Sequence, residues 1–340
     1  MKLIMTGLDH KLADLVIREK FAVTKEKTKS ILAAVQNSGM VEGCVILSTC
    51  NRTELYASIP ANSGFLPSQT LCAALGRDYI FYKNYLIERV EEQAMEHLCH
   101  VASGLDSQIR GDDQIITQVR EALELSRAQC CADSCIETMF RLAIQAAKII
   151  KTNLISSSMG TSSVPGKTVD KLKTLYPLLA GKNAVVIGNG WMGRLISELL
   201  INENVNVKVT MRKYKNGAMQ IPKCADAINY DERYKAIEAA DMVISATSSP
   251  HFTLFFKDLS TLPRLPGIIV DLAVPRDVDP AVQAISGVTL LTIDDISEGS
   301  RCLPLETTLM IEKIITEHKK KYTKWLMIKE TKQIAAGDRV

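Results

Sequence analysis

Residues 184–193 read AVVIGNGWMG, and this stretch decides the fold of the segment around it. Four apolar residues predict a buried strand, the glycines that follow have the spacing G-x-G-x-x-G, and the run after them predicts a helix. In that context Gly188 permits a tight turn, Gly190 lets the backbone approach a pyrophosphate, and Gly193 allows close packing of the helix. The helix N-terminus supplies amide donors and the positive end of a dipole. The predicted cofactor-binding residues of this dinucleotide loop are Gly188, Asn189, Gly190, Trp191, Met192 and Gly193.

Strand and helix signals keep alternating after this loop. Further apolar strands are predicted at 205–211, 241–247 and 267–273. Such alternation is typical of a parallel, doubly wound α/β sheet. We therefore predict a Rossmann-like domain over residues 156–293, which begins at the small, polar and breaker-rich run 156–166.

The end of the second strand of this domain indicates which dinucleotide it takes. An acidic residue about 20 positions after the glycines would bind the ribose hydroxyls of NAD. The chain has Met211-Arg212-Lys213 there instead, and two cations suit the 2′-phosphate of NADP. We therefore expect NADPH, with Arg212 and Lys213 among the cofactor-binding residues. The alternative is that these two cations only solvate the end of a strand.

The remaining sequence predicts two further parts. Residues 1–155 begin with alternating strands and helices and then become helical, which predicts an α+β domain. Residues 294–340 contain one long amphipathic helix, predicted over 307–332. The fold class is therefore α/β, with an N-terminal α+β catalytic domain, an NADP-binding Rossmann-like domain and a long C-terminal connecting helix.

Composition excludes several classes of protein. The chain has 340 residues, of which 46% are hydrophobic and 23% charged, which suits two or three globular domains and not a disordered chain. A net charge of +3 excludes nucleic-acid binding by bulk charge, so such a partner would need a local basic patch. We see no secretory leader and no apolar stretch of about 18 residues, and therefore predict no membrane span. The nine cysteines are then expected to be reduced thiols in the cytoplasm, and their spacing completes no metal site.

Residues 48–54, STCNRTE, carry the most reactive chemistry in the chain. A cysteine in a polar turn after a buried strand can be exposed, and a nearby cation favours the nucleophilic thiolate. Arg52 could hold a carboxylate through two parallel hydrogen bonds. On residue type alone, the commoner role for Cys50 is that of an inert, small apolar residue.

This run and four other segments resemble the glutamyl-tRNA reductase family, which catalyses the first committed step of the C5 route to tetrapyrroles such as heme. The run STCNRTELY at 48–56 is similar to the active-site signature of the family. The other similar segments are 7–11, 97–107, 186–193 and 270–279. The resemblance covers nearly the whole chain and implies NADPH-dependent reduction of glutamyl-tRNA(Glu) to glutamate-1-semialdehyde, on the way to 5-aminolevulinate.

The resemblance also implies roles for individual residues. Cys50 matches the nucleophile that forms a thioester with glutamate and releases the tRNA, and His97 matches a catalytic histidine near the reacting carbonyl. The implied substrate-binding residues are Thr49, Arg52, Ser107, Asp112 and Gln114. The implied partners are tRNA(Glu) charged with glutamate and the aminotransferase that acts on glutamate-1-semialdehyde.

Three departures from the family pattern bear on structure. The sequence GDDQI at 111–115 stands where the family usually has G-E-P-Q-I, in a loop beside the substrate pocket. Pro165 is expected to end or kink a helix ahead of the cofactor domain. The C-terminal dimerisation domain of the family is expected to be absent, which leaves the oligomeric state open.

The long C-terminal helix has an apolar stripe and a basic run. The stripe predicts either a pairing face or packing on the cofactor domain, and it consists of Trp325, Leu326 and Ile328. The basic residues either contact tRNA phosphates or form a solvated face, and they are His318, Lys319, Lys320, Lys321, Lys324, Lys329 and Lys332.

Other functions are compatible with the sequence. One is a small-molecule NADP oxidoreductase of the shikimate-dehydrogenase kind, which needs no thiol and would therefore be insensitive to alkylation. A second is a shortened homologue that reduces another aminoacyl-tRNA or thioester. A third is a regulator that binds tRNA or tetrapyrrole without catalysis, although Cys50, Arg52 and His97 argue against it.

Overall fold

The computed structural model describes residues 1–60, 63–107, 114–156, 163–211, 221–297 and 305–337. The chain forms two compact units, Met1–Thr161 with Ser300–Val340, and Ser162–Gly299. The strands are β1 (Lys2–Asp9), β2 (Gly43–Ser48), β3 (Arg52–Ile59), β4 (Ile87–Val90), β5 (Asn183–Ile187), β6 (Asn206–Met211), β7 (Asp226–Asn229), β8 (Met242–Ser245), β9 (Ile268–Asp271) and β10 (Thr289–Thr292). The helices are α1 (Leu15–Phe21), α2 (Lys25–Asn37), α3 (Pro67–Leu75), α4 (Tyr79–Tyr82), α5 (Glu91–Ala102), α6 (Gln114–Ala128), α7 (Ser134–Ser156), α8 (Val164–Leu175), α9 (Trp191–Asn202), α10 (Arg233–Glu238), α11 (Phe256–Leu259), α12 (Ile293–Ser297) and α13 (Leu305–Gly337).

The first unit is built on an antiparallel sheet of four strands in the order β2-β3-β1-β4. Successive residues of a strand point to opposite faces, and here both faces are buried against helices. On one face Leu3, Val45 and Tyr56 join a core formed with α5, α6 and α7. On the other face Ile46 and Leu55 join a core formed with α2 and α3. The α+β architecture predicted for the N-terminal part is confirmed.

Helix α13 packs in the core of the first unit. Ile311, Ile315 and Tyr322 are buried there, and Trp325 and Leu326 are partly buried against the same cluster. The predicted alternatives for the apolar stripe were a pairing face and the cofactor domain, and the described contacts instead place most of it among the helices of its own unit. The structure therefore groups α13 with the N-terminal part, whereas sequence analysis assigned 294–340 to a separate connecting segment. Neither α13 nor any other helix of the described ranges combines the length and apolar composition needed to cross a bilayer.

The basic residues of α13 do not form one continuous strip. His318 is buried, and its Nδ1 lies 2.8 Å from a backbone carbonyl one turn earlier. Lys319 forms an ion pair with a carboxylate of α5, and Lys329 donates to a serine hydroxyl at the start of α7 at 2.7 Å. The exposed members are Lys320, Lys321 and Lys324, and the side chain of Lys332 lies outside the described residues.

The second unit contains a six-stranded parallel sheet in the order β10-β9-β8-β5-β6-β7. Parallel strands end at the same edge of a sheet, so the loops after β5, β8 and β9 lie next to one another. The backbone amide of Ala246 donates to the carbonyl of Ile187 at 2.9 Å, and the amide of Leu272 donates to the carbonyl of Ser245 at 2.9 Å. The predicted parallel, doubly wound sheet is confirmed, and its edge carries the glycine loop.

Pro165 opens a helix, so the prediction that it ends or kinks one is wrong. Helix α8 begins at Val164, and Ser163 Oγ caps it by accepting from the amide of Gly166 at 3.2 Å. Proline is well suited to the first turn of a helix because the amide it lacks has no partner within the helix there.

Candidate active site

Cys50 lies in the turn that connects β2 to β3. The amide of Thr49 donates to the carbonyl of Arg52 at 2.8 Å, and the amide of Asn51 donates to Thr49 Oγ1 at 3.1 Å. Arg18 on α1 donates from Nη1 to the carbonyl of Cys50 at 3.2 Å and to Oδ1 of Asn51 at 3.1 Å. The side chain of Cys50 is half-buried and forms no disulfide. A well-braced turn therefore holds the predicted nucleophile.

Alternate residues of β3 place a charged cluster on the face of the sheet that meets α5. Arg52, Glu54 and Tyr56 follow one another at a spacing of two, so they share that face. Arg52 Nη1 donates to Glu54 Oε1 at 2.7 Å, and Tyr56 OH donates to Glu54 Oε2 at 2.7 Å. From α5, His97 Nε2 lies 2.8 Å from Glu54 Oε1. One buried carboxylate thus joins the two predicted site residues Arg52 and His97.

The charges in this cluster compensate one another. Burial alone would raise the pKa of Glu54, but His97 and Arg52 hold the pKa of this carboxyl well below its ordinary value. Burial alone would lower the pKa of Arg52, but the adjacent Glu54 carboxylate raises it. Burial and the same carboxylate raise the pKa of Tyr56. Glu54 is therefore an ionised acceptor, and His97 donates to it from Nε2, which leaves Nδ1 on the opposite side of the ring.

A second carboxylate, Asp106, lies on that opposite side of His97. Asp106 Oδ2 is 3.7 Å from His97 Nδ1, and Asp106 Oδ1 accepts from Lys11 Nζ at 2.6 Å. The carbonyl of Asp106 accepts from Arg52 Nη2 at 2.5 Å. Burial alone would raise the pKa of Asp106, but Lys11, His97 and Arg52 together lower it. The imidazole of His97 is thus held between two carboxylates of different exposure.

His10 borders the Cys50 turn from the end of β1. Its amide donates to the carbonyl of Asn51 at 2.9 Å, and its Nδ1 is buried with no hydrogen-bond partner among the residues that the structure describes. Burial, with the nearby charge of Arg52, lowers the pKa of His10 to about 4. The imidazole of His10, whose backbone joins the Cys50 turn, is therefore neutral at neutral pH.

The predicted substrate-binding residues differ in how far they are exposed to solvent. Arg52 is more enclosed than expected for a residue that holds a substrate carboxylate, because it is 2% exposed and both terminal nitrogens donate within the protein. Thr49, Ser107 and Gln114 are half-buried in the first unit. Asp112, with the rest of the departure at 111–113, lies outside the described residues. Contact of these residues with substrate stays a prediction.

Sequence analysis gave no role to several residues that build this site. Glu54 had a readable signal, because a spacing of two from Arg52 places two opposite charges on one buried face of a strand. Lys11 and Asp106 lie 95 residues apart in the chain and meet only in the fold. Arg18 of α1 supports the Cys50 turn, and it likewise lies in no sequence motif that would have predicted this role.

The glycine loop of the second unit has the predicted geometry at two of its three glycines. Gly188 has φ +105°, and a Cβ there would lie 2.6 Å from the carbonyl oxygen of Ala246. A Cβ on Gly193 would lie 1.9 Å from the carbonyl oxygen of Gly188, so helix and loop are in direct contact. A Cβ on Gly190 would meet no atom of the described ranges within 4 Å. The tight turn and the close packing are confirmed, and open space surrounds the glycine expected to face a pyrophosphate.

The N-terminus of α9 fits a phosphate group. Gly190 is its N-cap and provides no side-chain hydrogen bond, so the first amides of the helix are available to an anion. Asn189 and Met192 are half-buried, and Trp191 is 46% exposed. Arg212 and Lys213, on which the choice of NADPH rests, lie outside the described residues.

Two buried carboxylates organise the loop after β9 and tie it to the loop after β8. Asp271 accepts from the amides of Ala273, Asp277 and Val278 at 2.9–3.0 Å. Asp277 accepts from the hydroxyl and amide of Thr247 at 2.5 and 2.8 Å. The motif at 270–279 therefore shapes the edge of the sheet where a dinucleotide would bind.

Comparisons with known proteins agree with this division of the chain. The protein-family model for the N-terminal domain of glutamyl-tRNAGlu reductase matches residues 6–154. The family model for shikimate/quinate 5-dehydrogenase matches residues 170–298. The solved structure of glutamyl-tRNA reductase from Methanopyrus kandleri covers 98% of this chain with a TM-score of 0.52 and 26% identity, and 82% of that chain is covered. With its parallel sheet and glycine loop, the second unit is a dehydrogenase-like domain of the kind that takes a nicotinamide cofactor.

Relatives align from end to end. A glutamyl-tRNA reductase from Alkaliphilus oremlandii is 39% identical over 333 residues, which is 97% of this chain and 98% of that protein. One from Acetivibrio thermocellus is 39% identical over 326 residues, which is 96% of this chain and 97% of that protein. Since similarity of this extent spans both the thiol-bearing unit and the dinucleotide-binding unit, the chain belongs to the glutamyl-tRNA reductase family.

Proposed function

We propose that this chain reduces glutamyl-tRNA(Glu) to glutamate-1-semialdehyde with NADPH, the first step of the C5 route to 5-aminolevulinate and tetrapyrroles. The observation that carries the proposal is the arrangement around Cys50. The half-buried thiol of Cys50 lies in a turn that is held by hydrogen bonds. The strand that follows this turn carries Arg52 and Glu54, and Glu54 contacts His97 of α5. A small-molecule dehydrogenase has no need for a thiol placed in this way.

The first half of the reaction uses the thiol. Cys50 Sγ attacks the ester carbonyl carbon, a carbon–sulfur bond forms, the bond to the ribose oxygen breaks, and the tRNA leaves after that oxygen takes up a proton. We assign His97 to this proton movement, because Glu54 fixes its Nε2 and leaves Nδ1 as the nitrogen that exchanges a proton. Asp106, which lies 3.7 Å from that nitrogen, stabilises the imidazolium that forms in between.

The second half of the reaction releases the aldehyde. NADPH held in the second unit would supply the hydride that the thioester carbonyl carbon needs. The carbon–sulfur bond then breaks, and the Cys50 thiolate leaves because sulfur is a better leaving group than the ribose oxygen. Thr49, Arg52, Ser107, Asp112 and Gln114 are proposed to bind the glutamyl group, and Arg52 contributes mainly through its buried positive charge.

The cofactor, the partners and the location belong to the same proposal. The amides at the start of α9 and the open space at Gly190 would hold the pyrophosphate, while Arg212 and Lys213 would hold the 2′-phosphate that distinguishes NADPH from NADH. The protein would bind the tRNA at its acylated end. The aldehyde product would pass to the aminotransferase specific for it. A cytoplasmic location is supported by the eight described cysteines, none of which forms a disulfide.

The test is a panel of aminoacyl-tRNAs incubated with NADPH or NADH, with the aldehyde trapped as it forms. We expect aldehyde only from glutamyl-tRNA, and faster turnover with NADPH. The variant Cys50→Ser should lose this turnover and keep cofactor binding, and Cys130→Ser, which changes an exposed thiol of the same unit, is the matched control. Aldehyde from a different aminoacyl-tRNA, normal turnover by Cys50→Ser, or tRNA binding without any NADPH oxidation would each contradict the proposal.

The assignment of NADPH has its own control. The double variant Arg212→Ala with Lys213→Ala should raise the KM for NADPH and leave the KM for NADH unchanged. Equal loss with both dinucleotides would show that these cations do not read the 2′-phosphate.

A further inference from the structure

Three side chains with metal-binding atoms meet on the rim between α5 and α13. Glu96 and His100 lie four residues apart on α5, so they share one face of that helix. Glu312 reaches them from α13, and its Oε1 lies 3.7 Å from His100 Nε2. One donor atom from each of the three residues lies within 4.8 Å of the other two. All three residues belong to the first unit and lie outside the site described above.

The donor set has a definite chemical preference. An imidazole nitrogen with two carboxylate oxygens is typical of a site for Zn²⁺ or a similar transition-metal ion, with water completing the coordination. Two donors on a tetrahedral Zn²⁺ are roughly 3.3 Å apart, given metal–ligand bonds of about 2.0–2.1 Å. The separation of 3.7 Å between His100 and Glu312 is already close to that value. Glu96, whose donor oxygen lies within 4.8 Å of the other two donors, would have to move closer to them by side-chain rotation.

The two helices hold this cluster at a fixed spacing. Below the rim, Leu98 and Val101 of α5 share one apolar cluster with Ile311 and Ile315 of α13. A site whose backbone spacing is set by a packed core loses little freedom when an ion binds. Only the side chains of the cluster, which are half-buried or exposed, have to adjust.

One cation of the protein competes for the same donors. Lys319 on α13 forms an ion pair with Glu96 Oε2. An incoming metal ion would have to share or displace this ammonium group. Because the ammonium group and the metal ion compete for Glu96, removal of Lys319 should strengthen metal binding. An ordinary surface ion pair would not show this effect.

We propose that Glu96, His100 and Glu312 bind a divalent transition-metal ion of the zinc class, which clamps α13 to α5. The ion takes no part in the reduction. Its effect is mechanical, because α5 also carries His97, whose ring points to Glu54 on the sheet side. An ion at His100 secures the last turn of the helix that positions this histidine.

The test uses the full chain after treatment with a chelator, titrated with Co²⁺ as a spectroscopic substitute for Zn²⁺. We expect one Co²⁺ ion to bind per chain, with the visible absorption of a site made of nitrogen and oxygen ligands. The midpoint temperature of thermal unfolding should rise when the ion binds. Each of His100→Gln and Glu312→Gln should weaken binding about tenfold or more. The matched controls Glu317→Gln, an exposed carboxylate of α13, and His251→Gln, an exposed imidazole of the second unit, should leave binding unchanged.

The opposite effect is expected from Lys319→Met. This variant should bind Co²⁺ more tightly than the unaltered chain while its metal-free form loses an ion pair. The proposal is overturned if cobalt shows the charge-transfer absorption of a thiolate ligand, if no ion binds, or if the two cluster variants bind as tightly as the controls. Because binding and not turnover is measured, none of these outcomes affects the proposed reductase activity.

Discussion

Glu54 Oε1 lies 2.8 Å from His97 Nε2, and both side chains are buried between the sheet and α5 of the first unit. The same oxygen accepts from Arg52 at 2.7 Å. A buried carboxylate is costly unless cations and hydrogen bonds surround it, and here Arg52, His97 and Tyr56 do so. The Glu54 carboxylate therefore fixes the positions of Arg52 and His97, two of the proposed site residues.

The first prediction concerns Glu54→Gln. The change removes the negative charge and leaves the guanidinium of Arg52 buried without its counter-charge, so the free energy of unfolding should fall by about 3–5 kcal/mol. Urea unfolding measures the loss. The control Glu42→Gln alters an exposed carboxylate of the same unit and should change stability by less than about 0.5 kcal/mol. Equal stability of the two variants would show that Glu54 does not balance the buried cation.

The second prediction separates Asp106 from Glu54. Asp106 is partly exposed and its partner Lys11 is 56% exposed, so Asp106→Asn should cost no more than about 1 kcal/mol of stability. Turnover should nevertheless fall about ten- to a hundredfold, because the carboxylate next to His97 Nδ1 is lost and the imidazole is less well oriented. Comparison of kcat with the urea midpoint of each variant checks this. A fall in kcat that merely follows a loss of stability would contradict it.

The residues of the site show what a sequence can and cannot predict. The glycine spacing within 184–193 and the strand and helix alternation that follows it predicted the loop and the parallel sheet, because each of these signals is local. The pairing of Arg52 with Glu54 was also accessible, since strand geometry alone puts them on one face. The contact of His97 with Glu54 spans 43 residues and depends on how α5 crosses the sheet, which no local pattern encodes. Helix α13 was predicted as a helix, but its packing on the N-terminal helices depends on a core assembled from both ends of the chain.

The third prediction contrasts two glycines of the same loop. Gly193→Ala places a methyl group 1.9 Å from the carbonyl oxygen of Gly188, so the second unit should lose about 2–3 kcal/mol of stability. Gly190→Ala adds a methyl group to open space and should leave stability within about 1 kcal/mol of the original. If that space receives a pyrophosphate, Gly190→Ala should still weaken NADPH binding. Thermal unfolding and fluorescence titration with NADPH measure the two effects, and unchanged NADPH affinity in Gly190→Ala would remove this loop from the cofactor site.

The last prediction uses the buried carboxyl of Asp271. Burial, with the charge of Asp277, raises its pKa to about 7, against the lowering effect of the backbone amides, the largest from Val278. Between about pH 4 and pH 7 the folded state therefore holds a proton that the unfolded state has released. The free energy of unfolding contributed by this group must fall as pH rises through that window, by up to about 4 kcal/mol in total.

Asp271→Asn has no proton to release, so the stability of the original chain relative to the variant should fall steadily from pH 4 to pH 8. At pH 4 the original chain should be the more stable of the two, because the asparagine amide cannot accept from all three backbone amides that bond to Asp271. Urea unfolding of the second unit across this range measures the difference, with Asp226→Asn, an exposed carboxylate of β7, as the control. A difference that stays constant with pH would mean that Asp271 is ionised throughout and that the three amides outweigh its burial.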